Sequence, residues 1–71
     1  MAKKQKKTKT FRENLRAARI AAGLSQTEAA NVCGARQTTW SRIENGHVWP
    51  SIENAERYAQ AVGTTLKDLL P

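Results

Sequence analysis

The stretch that most constrains this chain is Gln26 to Asn45, QTEAANVCGARQTTWSRIEN. Ser25 just before it and Glu28 three residues on make an S-x-x-E capping box, in which each side chain satisfies a free N–H at a helix start. Gly34 can take the positive φ that a helix C-terminus commonly needs, so the same helix has a marked end. Apolar positions fall at Ala29, Ala30, Cys33, Ala35, Trp40 and Ile43. Small Ala30 allows a second helix to come close. Trp40 and Ile43, three apart, form one apolar stripe on that second helix and leave Gln37, Thr38, Ser41 and Arg42 directed away from it. Two short helices about a tight turn, one bracing and one presenting polar side chains, form a helix-turn-helix.

The rest of the chain supports one small domain around this unit. Its 71 residues bury only a modest core, which is marginal on its own. Cys33 is the only cysteine and His47 the only histidine, so neither a disulfide nor a metal cluster can compensate. Cys33, at an apolar turn position, reads as a small core residue. No apolar run is long enough for a signal peptide or a membrane span, and nothing requires an oxidising compartment. The expected location is the cytoplasm, with no membrane partner.

Further signals lay out an all-α chain. Thr10 and Glu13 form a second capping box, followed by Phe11, Leu15, Ala18 and Ala22 at helical spacing. Gly23 stops that helix and Leu24 packs inward. Ser51 caps a fourth helix with Ile52, Ala55, Ala59 and Val62 on its buried stripe, Tyr58 near the edge, and Gly63 at its end. Thr65 and Asp68 start a short fifth helix carrying Leu66, Leu69 and Leu70. Those leucines either complete the core or form a self-complementary patch between two copies. Trp49, held extended by Pro50, either covers the core's edge or is exposed to a partner.

The formal net charge is +6, and its placement matters more than its size. Lys3, Lys4, Lys6, Lys7, Lys9, Arg12, Arg16 and Arg19 face a single acid, Glu13, in the first twenty residues. Beyond them acids outnumber bases by one. MAKKQKKTKT has almost no apolar side chains, so residues 1–9 are expected to be a disordered basic arm ahead of a domain at 10–71. Two readings of the arm stand: a solubilising tail, or a set of phosphate contacts.

The motifs in order are GLSQ at Gly23–Gln26, Ala30, Gly34, RIENG at Arg42–Gly46, Pro50-Ser51, and AVGTTLKDLL at Ala61–Leu70. With them the chain from about Phe11 to Leu70 resembles the DNA-binding domain of lambdoid phage repressors and Cro, including the wider Xre-type regulators. The resemblance implies a five-helix, lambda-repressor-like fold with the helix-turn-helix at helices 2 and 3. It implies a structural ion pair between Arg19 and Glu44, largely shielded from water. Helical spacing separately puts Leu15, Ala30, Trp40 and Ile43 in the core, with Leu24 packed inward beside them. The resemblance also implies that Gln26 meets the DNA backbone and braces Gln37, that Gln37 reads a base, and that Arg42, Asn45 and His47 lie where backbone contacts are made. The lysine-rich arm is similar to one that some phage repressors wrap around the duplex.

Chemistry agrees with several of these roles. Gln26 sits at a helix N-terminus, where free N–H groups favour a phosphate. A glutamine that donates and accepts at once matches adenine N6 and N7 in the major groove. Thr38 and Ser41 are further candidates for base readout, Thr38 through a thymine methyl or a base edge. The Asn45 side chain and the loop N–H groups are candidate phosphate donors, fixing register without reading sequence. His47 is either a pH-dependent phosphate contact or an ordinary loop residue.

Two positions depart from the family pattern. Arg36 stands where a serine or threonine usually caps the recognition helix, so it reaches a phosphate or a guanine instead. Trp40 replaces a smaller valine or isoleucine, with Ala18, Ala22 and Ala35 expected to make room for the indole.

The leading reading is therefore a homodimeric, sequence-specific regulator of double-stranded DNA, a repressor that needs no cofactor. A Cro-like phage regulator, a restriction–modification controller and an antitoxin all fit it. A second reading is a protein-interaction module whose main partner is a toxin or other protein. An enzyme is disfavoured, because the chain has no carboxylate pair near a base, no paired cysteine and histidine, and no phosphate loop.

Overall fold

A computed structural model describes residues 10–71. All regular structure among them is helical: α1 Phe11–Ala21, α2 Gln26–Cys33, α3 Gln37–Glu44, α4 Ile52–Ala61 and α5 Leu66–Leu69. The ends follow from the caps. The hydroxyls of Thr10, Ser25, Ser51 and Thr65 accept from the backbone N–H three residues on, and the first two are complete capping boxes. Gly34, at φ 75°, closes α2 in the left-handed region, and nothing lies within 4 Å of where its β-carbon would be. Backbone conformation alone therefore accounts for glycine there.

The core forms where α1, α2, α3 and α4 meet. Phe11, Leu15, Ala29, Ala30, Trp40, Ile43, Ala55, Tyr58, Ala59, Val62 and Leu69 are buried, with Ala18, Leu24, Cys33, Ala35 and Leu66 packed against them. Trp40 has no exposed surface. Its ring meets Tyr58 edge-on, centroids 5.2 Å apart at 67°, a favourable arrangement for two quadrupoles. The fifth helix is tied back by Asn14, whose Nδ2 donates to the Leu69 carbonyl at 2.9 Å.

Three core expectations need correcting. Ile52 is 73% exposed and Tyr58 only 6% exposed. Helical period gave the face of α4 but not where the core stops: α4 packs on α2, which buries Tyr58, while Ile52 in the first turn joins a surface hollow. Ala22 is exposed as the C-cap of α1, so it is not among the residues that make room for the indole, whereas Ala18 and Ala35 pack against the core. The C-terminal leucines divide. Leu69 is buried and Leu66 half-buried, whereas Leu70 is 54% exposed.

Candidate nucleic-acid interface

The recognition helix is held by a buried carboxylate. Glu44, in the last turn of α3, is the buried charged residue among the described residues. Arg19 Nε donates to its Oε2 at 2.7 Å and Arg19 Nη2 to its Oε1 at 3.2 Å. Gln26 Nε2 donates to Oε1 at 3.1 Å. The Trp40 indole N–H, one turn earlier on α3, donates to Oε2. The side chains of Arg19 and Glu44 are 12% and 2% exposed, so the ion pair is shielded as expected. Burial pushes the Glu44 carboxyl upward, but the hydrogen bonds from Arg19, Gln26 and Trp40 and the charge of Arg19 outweigh it and leave its pKa below the ordinary value. Arg19 Nη1 also donates to the Leu24 carbonyl at 2.8 Å, so one guanidinium ties α1 to the turn before α2 and to α3.

From this hub the contacts run outward. Gln26 is half-buried, and its Oε1 accepts from Gln37 Nε2 at 3.0 Å. Gln37 is exposed at the first turn of α3, with exposed Arg36 and Thr38 beside it, half-buried Ser41 one turn on and exposed Arg42 following. Arg36 occupies the N-cap position without a side-chain cap bond, as its side chain dictates. The structure thus gathers Arg36, Gln37, Thr38, Ser41 and Arg42 on the outer side of a helix whose inner side is Trp40, Ile43 and Glu44.

The loop after α3 is less available than the sequence implied. The N–H groups of Asn45, Gly46 and His47 donate to the carbonyls of Ser41, Ile43 and Arg42, so these loop amides are committed within the fold rather than open to phosphate. Asn45 Nδ2 lies 3.4 Å from Ser41 Oγ, and His47 is exposed. Sequence reasoning missed Arg12, whose Nη1 donates to the Asn45 carbonyl at 3.2 Å and lies over Gly46. A β-carbon at Gly46 would fall 1.7 Å from that nitrogen. It also missed the Trp40 acceptor. A buried indole N–H needs a partner, and Glu44 stands four residues on, so that signal was present. The proposed phosphate contacts at Lys3, Lys4, Lys6, Lys7 and Lys9 lie outside the described residues.

A short helix seated by its apolar side on a capped bracing helix, with a glutamine-led polar side outward, defines a helix-turn-helix DNA-binding domain. The chain belongs to the helix-turn-helix domain family, whose profile matches residues 10–70, and is of the Xre type, a DNA-binding transcription regulator. Among solved structures it is similar to a hypothetical transcription factor, NHTF, from Neisseria: 33% identity over 86% of this chain and 70% of that one, TM-score 0.81. It is also similar to the restriction-modification controller protein C.AhdI from Aeromonas hydrophila, with 30% identity over 84% of this chain and 91% of that one, TM-score 0.80. The same fold occurs as part of the hydroxypropylphosphonic acid epoxidase of S. wedmorenis, where 26% identity spans 86% of this chain but 32% of the enzyme, TM-score 0.78. No curated protein matches the chain at a comparable level.

Proposed function

We propose that the protein is a sequence-specific repressor that binds double-stranded DNA as a homodimer at a near-palindromic operator. The observation that carries this reading is the two-sided α3: Trp40, Ile43 and Glu44 are buried, while Arg36, Gln37, Thr38 and Arg42 are exposed on the other side. Gln37, Thr38, Ser41 and Arg36 read bases, and Gln26, Arg42, Asn45, His47 and the arm lysines hold phosphates. In a dimer the two recognition helices enter major grooves about 34 Å apart.

A hollow of about 260 Å³ lined by Phe11, Trp49, Pro50, Ile52, Ala55, Leu66 and Leu70 supports a self-association surface at the C-terminal region. Likeness to a restriction-modification controller favours that context over a phage or toxin system. Selection from random duplexes tests the reading. A defined near-palindromic sequence is expected, and Gln37→Ala with Thr38→Ala is expected to flatten it. Binding without preference over bulk DNA would refute it.

One observation favours a second reading. Trp49 is 76% exposed, with its ring only 6.3 Å from that of Phe11. An antitoxin or other protein-interaction module would use this indole on a toxin or other protein, and changing Gln37 and Thr38 would then leave its binding intact.

A further inference from the structure

We propose that Glu44 sets which base Gln37 prefers, acting through Gln26 as a positioning residue. The proposal rests on the reading of Gln37 as a base reader and goes beyond it to the polarity of its amide. An ionised carboxylate has no proton to give. The Gln26 atom that stands 3.1 Å from Glu44 must therefore be the amide nitrogen. Gln26 Oε1 is then the atom left to face Gln37, and it can only accept. Gln37 consequently gives one of its two Nε2 hydrogens inward, across 3.0 Å.

What remains on Gln37 is one N–H beside a carbonyl oxygen. That donor and acceptor pair complements adenine N7 and N6. Reversed, the amide would offer the groove two N–H groups and complement guanine N7 and O6. The choice is made at a carboxylate whose side chain is 2% exposed, fixed by Arg19 and by the indole of Trp40, with no contact to DNA.

Glu44→Gln reverses the relay. Two donors that cannot reverse, Arg19 Nε and Trp40 Nε1, meet Oε2, and only one, Arg19 Nη2, meets Oε1. The new carbonyl therefore takes the Oε2 place, the Nη2 bond is given up, and the new NH2 faces Gln26. Gln26 turns over, and so does Gln37. Gln26→Met cuts the relay while keeping its volume, and serves if Glu44→Gln does not fold.

The experiment measures the adenine-to-guanine binding ratio at the base pair whose preference Gln37→Ala abolishes, with binding to all duplexes measured in parallel. For Glu44→Gln the ratio is expected to fall about tenfold or more towards guanine, within the range of one bidentate base contact. For Gln26→Met it is expected to approach one without inverting. Any phosphate interaction that Gln26 itself makes lowers binding to every sequence alike when removed, and leaves the ratio untouched. In the free protein, the Gln37 Nε2 proton held by Gln26 is expected to be shifted downfield by NMR and to return to the ordinary amide position in Gln26→Met. If Gln37→Ala changes no position, base reading itself fails and the proposal with it. If Gln37→Ala flattens one position but a folded Glu44→Gln leaves the ratio there unmoved, or Gln26→Met does, base reading stands and the relay is overturned.

Discussion

Replacing Glu44 by alanine should come close to unfolding the domain. The substitution removes an acceptor of four hydrogen bonds and leaves three groups behind: a guanidinium only 12% exposed, a buried indole N–H and the Gln26 amide. Removing one partner of such a shielded pair costs about 3–5 kcal/mol. A domain of roughly sixty residues has about 3–9 kcal/mol in total at 0.05–0.15 kcal/mol per residue. Arg19→Met should sit at the lower end of that cost, because Glu44 keeps the donors of Gln26 and Trp40 and can also take up a proton. Combining Arg19→Met with Glu44→Ala removes both charges, so the pair should fall short of additivity by about 0.5–3 kcal/mol. Urea unfolding followed by tryptophan fluorescence measures all three. Trp40 is fully buried and Trp49 76% exposed, so the signal change reports chiefly on the core around Glu44. A cost below about 1 kcal/mol for Glu44→Ala, or strict additivity of the two singles, would refute the account of Glu44 as the residue the packing depends on.

Other outcomes follow from the same contacts. Trp40→Phe keeps most of the ring but loses the indole donor to a charged acceptor, and should cost about 1.5–3 kcal/mol in the same assay. Because the folded-state pKa of Glu44 is lowered from 4.5, its contribution is fully present above that value and lost as pH falls through the folded pKa. Thermal melts should therefore decline below about pH 4.5, and Glu28, lowered by its backbone and side-chain bonds with Ser25, acts in the same direction. Equal melting temperatures at pH 6 and pH 3 would contradict this. Deleting residues 1–9 should weaken DNA binding across all sequences and make the log–log salt slope shallower by roughly one for each phosphate no longer neutralised. An unchanged slope would assign those lysines to solubility alone.

What could be read from sequence was local. Thr10, Ser25, Ser51 and Thr65 cap their helices because a cap depends on three or four consecutive residues, and Gly34 is read the same way. The ion pair Arg19–Glu44 came from family resemblance, since residues 25 apart have no local signature. Ile52 and Tyr58 were exchanged in burial because a 3.6-residue period gives a helix its apolar face, but not the point at which a neighbouring helix stops covering it. The loop amides at Asn45 to His47 looked free because composition does not show which carbonyls a turn will engage. Within the site, the outward residues were legible from Trp40 and Ile43 alone. The inward link from Gln37 to Glu44 was only half legible: the bracing by Gln26 was expected, its continuation to a buried carboxylate was not.

The large residue at position 40 explains why that continuation matters here. A valine or isoleucine in its place would fill the core without adding a donor, and Glu44 would serve Arg19 and Gln26 only. The indole adds an N–H from α3 itself, so the carboxylate binds the helix that carries it as well as α1 and α2. That second anchorage falls at the C-terminal half of a helix whose N-terminus lacks a side-chain cap, because Arg36 makes none. A missing cap costs about 0.5–2 kcal/mol, comparable to one charge-assisted hydrogen bond. The helix is thus held by side-chain contacts in its second turn and by the Gln37–Gln26 bond in its first. Restoring a cap with Arg36→Ser should accordingly raise stability by up to about 2 kcal/mol while removing whatever contact the arginine makes with DNA. A gain in stability with loss of binding would show that this position has been given over to the duplex, whereas a gain with unchanged binding would show Arg36 to be a solvated side chain.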